Sequence, residues 1–332
     1  MNTVCHQISA AICVGVILLI ASSAQAQNLF EADLNSGNVY EFTPDGGQGT
    51  FASGLNQPDA LAFNSSGDLF VADYGSGNIY EFTPDGAKNT FASGLSTPIG
   101  LAFNNTGDLF VLDYVSGTIT KITPGGIQST FASGLSAPYG LTFDSAGNLY
   151  VANGNGSSII EITPSATQTT FAPGLAGAWG LAFDRAGDLF AADNNSGKIT
   201  EIAPDGTQRI FATGLGAPIG LAFNSAGGLF AADLSGNIYE FTPGGVRSTF
   251  VSGLNQPTAL AFQPTPELAA AVTNGVIQVA VTMPSPYYST IVQVSTDMVS
   301  WTSVCTNIPP FTFTDSMGTT LPCRFYRALL GP

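Results

Sequence analysis

Apolar residues in this chain come in short runs separated by turn formers, and no window carries the three-to-four spacing of a long amphipathic helix. Residues 59–93 show the pattern. Residues 60–63 are an apolar run, and Asn64-Ser65-Ser66-Gly67 is a turn whose Asn can bond its own backbone. A second run covers 69–72, followed by the loop Tyr74-Gly75-Ser76-Gly77. Residues 78–82 alternate polar and apolar, as a half-buried strand does. Thr83-Pro84-Asp85-Gly86 is a strong turn, because Pro presets φ and Gly permits a positive one. Residues 90–92 give a fourth, outermost strand. Four strands in about forty residues predict one β-propeller blade.

The unit repeats. Phe-Ala-Ser-Gly-Leu starts at Phe51, Phe91 and Phe131 and recurs with changes at Phe171, Phe211 and Phe250, so the step is forty residues and then, once, thirty-nine. Leu-Ala-Phe or Leu-Thr-Phe starts at Leu61, Leu101, Leu141, Leu181, Leu221 and Leu260. The second strand ends at Asp33, Asp73, Asp113, Asn153, Asp193 and Asp233. The chain enters the repeat at a second strand, near Leu29, and leaves it after a lone first strand, residues 254–262. Joined, the two pieces complete a sixth blade and remove the sheet edges that an open solenoid would expose. The predicted class is all-β: a six-bladed propeller closed by N- and C-terminal strands, with a small C-terminal β-sandwich-like module.

Composition adds limits. Charged residues are only 9% of the 332, and the net charge is −15. Residues 27–264 hold 20 Asp+Glu against 6 Lys+Arg. Such a surface repels nucleic-acid phosphates and anionic lipid headgroups, which points to a protein, peptide, glycan or small neutral ligand. Residues 8–21 are an almost unbroken apolar run before Ala24-Gln25-Ala26, so residues 1–26 read as a cleaved signal peptide, a retained membrane anchor being the alternative. No later stretch is long enough to span a membrane. Cleavage would remove Cys5, Cys13 and the only histidine, His6, leaving Cys305 and Cys323 as a pair expected to form a disulfide outside the cytoplasm. The expected protein is secreted or extracytoplasmic and monomeric, with domains at 27–264 and 265–332. Within the latter, residues 276–281, 291–294, 311–314 and 324–327 read as strands.

Pro98-Ile-Gly-Leu-Ala-Phe, then Gly107, Leu109-Phe110 and Asp113, resembles the NHL-repeat propellers and the related SMP-30/gluconolactonase propellers, and the same pattern starts at Pro218. The resemblance covers residues 29–263. It implies the fold, while the activity stays open, since such propellers serve as enzymes, sensors and scaffolds. Residues 265–332, with Trp301 and Phe325-Tyr326-Arg327, resemble C-terminal tail modules of secreted bacterial proteins.

Candidate chemistry is sparse. The strand-end Asp set recurs once per blade and reads as a device capping the Gly/Ser loop that follows it. Glu41, Glu81, Glu161, Glu201 and Glu240, with Lys121, read as solvent-facing positions of the third strand. A mature chain without histidine lacks the ligand or base that zinc, Ser-His-Asp and Cys-His chemistry requires. Function is therefore sought where the repeats disagree. In this resemblance the loops entering the first strand surround the channel mouth, and there the blades carry Asp59, Ile99, Tyr139, Trp179, Ile219 and Thr258, with Ala178 replacing the usual Pro. These six are the expected ligand-binding set, with stacking on Tyr139 and Trp179. No catalytic residue and no cofactor are expected. Under the alternative that the resemblance implies, a calcium-dependent SMP-30-type hydrolase, the oxygen ligands would be Asp59, Asn153, Asn155 and Asn194, with the mid-strand Glu31 in place of the glutamate that the family carries near its N-terminal blade. A further alternative is a structural cell-envelope protein attached through its tail.

Overall fold

A computed structural model describes residues 27–264 other than Ala176, the backbone of the strands Ile17–Leu19 and of those between 267 and 330, and a few polar side chains in the latter. Clustering of contacts divides the chain into one compact unit of residues 26–64 and 68–263 and a second unit containing 264–332.

Each forty-residue repeat folds as an antiparallel four-stranded blade. In blade 2 the strands are Pro58–Phe63, Leu69–Asp73, Asn78–Phe82 and Lys88–Ala92, in that order from the first to the fourth. Blades 3 to 6 repeat it with first strands Pro98–Phe103, Pro138–Phe143, Ala178–Phe183 and Pro218–Phe223. Blade 1 closes the ring as the half-repeats predict. Pro257–Phe262 lies beside Leu29–Asp33, with Leu29 opposite Phe262 and Glu31 opposite Leu260. Asn38–Phe42 and Gln48–Ala52 complete the blade.

The blades lock through one repeated aromatic contact. The second-strand ring stands edge-on between the fourth-strand Phe of its own blade and the first-strand Phe of another, a favoured quadrupole geometry. Phe110 meets Phe131 at 4.9 Å and Phe143 at 5.0 Å between centroids, with interplanar angles of 88° and 78°. Phe70, Tyr150, Phe190, Phe230 and Phe30 do the same. The contact reaches the last propeller strand unchanged: Phe230 sits 4.9 Å from Phe262.

The strand-end Asp do more than cap the loop that follows. Asp113 accepts from the backbone N–H of Ser116 in that loop, and also from Ser96 and Thr97 in the loop entering the first strand of the same blade. Asp33 bridges Ser36 N and Asn255 N, 222 residues apart from its own position in the second case. Asp73 takes both its bonds from Asn56 N, so there the following loop is not capped by the side chain at all. Desolvation raises the Asp113 and Asp233 pKa values, but hydrogen bonds from Ser116 and Thr97, and from Ser235, Gly216 and Ala217, outweigh it and hold both below the usual range. The third-strand Glu row needs one correction. Glu201 is buried, at 5% exposure, and ion-paired with Arg209 rather than facing solvent. The remaining Glu of the row and Lys121 are half-buried, Glu41 accepting from Asn28 and Lys121 pairing with Asp108 at 2.8 Å.

In the second unit, Glu267–Thr273, Val276–Thr282 and Phe311–Asp315 form one sheet, and Thr290–Ser295, Thr302–Asn307 and Arg324–Leu330 belong to another with Ile17–Leu19. Cys323, and with it the expected Cys305–Cys323 bridge, lies outside the described residues, as does most of 1–26.

Candidate functional site

The six mouth residues owe their direction to a local irregularity present in every blade. Pro58 pairs with Asp73 and Ala60 with Ala72, leaving Asp59 as the extra residue of a β-bulge. Ile99, Ile219 and Thr258 occupy the same extra position. In blades 4 and 5 the irregularity widens to take in Tyr139 with Gly140, and Trp179 with Gly180. A bulge re-aims a side chain, and here six of them turn one residue per blade onto a single cavity of about 380 Å³. All six predicted residues line it, together with deeper Leu61, Leu101, Leu141, Leu181 and Leu221.

They are not equivalent. Ile219 and Thr258 are buried in the wall, and the Thr258 hydroxyl is spent on the Ala32 and Pro58 carbonyls at 2.9 and 3.3 Å. Asp59, Ile99, Tyr139 and Trp179 are half-buried on the cavity wall. Tyr139 and Trp179 stack with centroids 4.2 Å apart and planes 11° apart. Tyr114, from the loop after the second strand of blade 3, extends the stack at 5.5 Å and 31°. Burial, and then its hydrogen bond to Tyr114, hold the Tyr139 phenol above the usual range.

Two sequence features permit this ladder. A Cβ at Gly140 would overlap the Trp179 carbonyl, and one at Gly180 the Ile219 carbonyl, so these inner strands approach more closely than any side chain allows. Gly154 stands in the loop position that Tyr74 and Tyr114 hold in blades 2 and 3, and a Cβ there would strike the Tyr139 ring. Tyr114 was not among the expected residues. The signal was present in the variation of that loop position, Tyr74, Tyr114, Gly154, Asn194 and Leu234. Ala178 keeps an N–H that Pro would lack and donates it to Leu175 O at 3.3 Å. Strain also gathers at this face: Gln57, Ala137 and Gln256, each just before a proline, take φ of 62°, 46° and 72°.

Asp59 is the one carboxylate on the cavity wall. Burial pushes its pKa up to about 7. The Asn set that would join it under a calcium reading does not converge there. Asn153 accepts from Ser136 N at 2.7 Å, Asn155 is exposed, and neither they nor Asn194 line the cavity. Asn194 does have a buried Nδ2 without a partner. Glu31 lies elsewhere, fully buried on the second strand of blade 1. Among the described residues no group of three His, Cys, Asp or Glu is placed to hold a metal ion, and no helix is long and apolar enough to cross a membrane.

No protein-family model matches the chain, and no curated protein matches it. Solved structures do. A nidogen–laminin complex is similar at 18% identity, with a TM-score of 0.65, over 71% of this chain and 98% of that one. Virginiamycin B lyase from Staphylococcus aureus is similar at 16% identity and a TM-score of 0.57, over 82% and 93%. A gluconolactonase from Xanthomonas campestris is similar at 15% and 0.57, over 81% and 97%. At such identities the likeness is one of fold, so the chain is a six-bladed β-propeller similar in architecture to enzymes and to binding propellers alike.

Proposed function

We propose that this chain is an extracytoplasmic, non-catalytic binding module that takes a small organic ligand at the channel mouth. The observation that carries the reading is the convergence of six bulged residues on one cavity, with an aromatic ladder and a single unpartnered carboxyl, in a propeller free of histidine. Preformed cavities with a few placed polar groups are the usual form of small-molecule sites. Among the similar structures is a catalytically inactive histidine-to-alanine variant of the Staphylococcus lyase bound to quinupristin. This chain has one histidine, His6, outside the propeller, which argues against the same chemistry. A ligand-observed NMR screen of fragments against the wild type, repeated on Tyr139→Ala and Trp179→Ala, tests the site. The expected result is at least tenfold weaker binding of mouth-bound hits, as loss of a stacked ring entails. Unchanged affinities in both variants would place the ligand elsewhere.

The gluconolactonase likeness favours a second reading, a calcium-dependent hydrolase, which makes its own prediction. Calcium held at 100 times its Kd would stabilise a binding domain by about 2.7 kcal/mol. With one carboxylate at the mouth, we expect the propeller transition to melt at the same temperature in EDTA and in millimolar calcium. A rise that Asp59→Asn abolishes would put the hydrolase first.

A further inference from the structure

We infer that the mouth selects a small organic cation, an alkyl- or arylammonium whose charge meets Asp59 and whose apolar body lies against Trp179. This rests on the mouth being the ligand site and names the class of ligand. Asp59 belongs to blade 2 and Trp179 to blade 5, three places apart on a ring of six, so they face each other across the channel. One wall offers a carboxylate and the opposite wall a stacked aromatic pair.

The carboxylate is uncommitted. Neither ion pair among the described residues involves Asp59, and no hydrogen bond reaches it. No Lys, Arg or His lines the cavity to neutralise it. A buried charge without a counterion costs free energy that a cationic ligand would recover. The other ligand classes fit less well. Residues 27–264 carry 20 acidic against 6 basic side chains, so an anion is repelled before it arrives. A neutral sugar would leave the Asp59 charge without a counterion, and the Thr258 hydroxyl is already used. A bare metal ion would find one carboxylate where hard cations take six or more oxygens. A docked protein would need an apolar patch around the rim, yet among the described residues only Val115 of the four exposed large apolar side chains stands in a loop on the mouth face. An ammonium with an apolar body uses both walls, and aromatic faces add their own attraction for it.

Calorimetric titration of the full chain at pH 8 with phenethylammonium, 2-phenylethanol and phenylacetate separates the classes, since the three share a phenyl ring on a two-carbon chain and carry a positive, a neutral and a negative head group. The expected order is ammonium at least tenfold tighter than alcohol, with phenylacetate not binding. In Asp59→Asn the ammonium should fall to the affinity of the alcohol, whose own Kd should not move. Because Asp59 has no protein partner, that variant should keep the wild-type circular dichroism. Ammonium affinity should also rise about tenfold from pH 6 to pH 8 as Asp59, pushed to about 7, loses its proton. Tyr139, the other titratable group on the wall, stays protonated throughout. Alcohol binding as tightly as ammonium, with Trp179→Ala still abolishing both, would overturn the cation and leave the mouth site standing. Absence of binding by all three would remove both.

Discussion

Replacing Glu31 by Val should raise the stability of the propeller at pH 8 by about 6 kcal/mol, a gain of roughly 15–20 °C in Tm for a domain of this size. Glu31 is 0% exposed, and neither carboxyl oxygen has a hydrogen-bond partner. The corresponding residues of blades 2 to 6 are Val71, Val111, Val151, Ala191 and Ala231, all apolar and buried. Glu31 stands opposite Tyr40 on one side and Leu260 on the other. Desolvation, and then the nearby Asp33 charge, push its pKa from 4.5 to about 9. The native state therefore holds a proton that the unfolded chain loses above pH 4.5. Between pH 4.5 and 9 the unfolded state binds fewer protons, so native stability falls by about 1.4 kcal/mol per pH unit from this group, and it is level on either side. Glu31→Val should abolish that slope. Near pH 4.5 its advantage should shrink to the cost of one neutral, unpaired polar group, about 1–2 kcal/mol. Glu31→Gln isolates the charge, since it keeps the shape and the unpaired polarity. Calorimetric scans of the propeller transition from pH 5 to 9 give the answer. A slope between pH 7 and 9, above the Asp59 titration, that survives in Glu31→Gln would mean that Glu31 is not the proton-holding group.

The second large effect is expected at the locks between blades. Phe230→Ala should destabilise the propeller by about 3–5 kcal/mol, the usual consequence of emptying a ring-sized site in a core. The native ring touches Phe250 at 5.1 Å and Phe262 at 4.9 Å, both edge-to-face. Phe110 has the same two contacts, at 4.9 and 5.0 Å, inside the continuous part of the array. The strand of Phe262 is joined to the rest of its blade only by its pairing with Leu29–Asp33, whereas the strand of Phe143 runs on into the second strand of its own blade. Since the local geometry matches, the two substitutions should cost the same within about 1 kcal/mol when unfolding is cooperative across the ring. Urea unfolding of both variants measures this. A much larger loss in Phe230→Ala, or a separate early transition, would show that the propeller opens first at its closing seam.

Several features were legible without coordinates because their causes lie within a few residues of one another. The Thr-Pro-Asp-Gly turns, the alternation in residues 78–82 and the forty-residue step define strands, blades and blade count from local chemistry alone. Closure followed from the two half-repeats, and the structure pairs them in register from Leu29–Phe262 to Asp33–Pro257. The six mouth positions were also legible, since they are the places where otherwise uniform repeats differ.

What side chains do at those positions is another matter. Thr258 looked like a ligand hydroxyl, but the Ala32 carbonyl, 226 residues away in the chain, takes it. Tyr139 reaches Trp179 because Gly140 lets the next inner strand come close and Gly154 leaves room for its ring, and Tyr114 then extends the stack from blade 3. Glu31 sits mid-strand, and its neutrality at pH 7 depends on burial that includes the last propeller strand, where Leu260 stands opposite it. The sequence by itself determined the repeat, the fold and which residues reach the mouth, because strand and turn preferences are local. The tertiary structure alone decided which of those groups are free, paired or buried, because partners and desolvation come from residues brought together across blades.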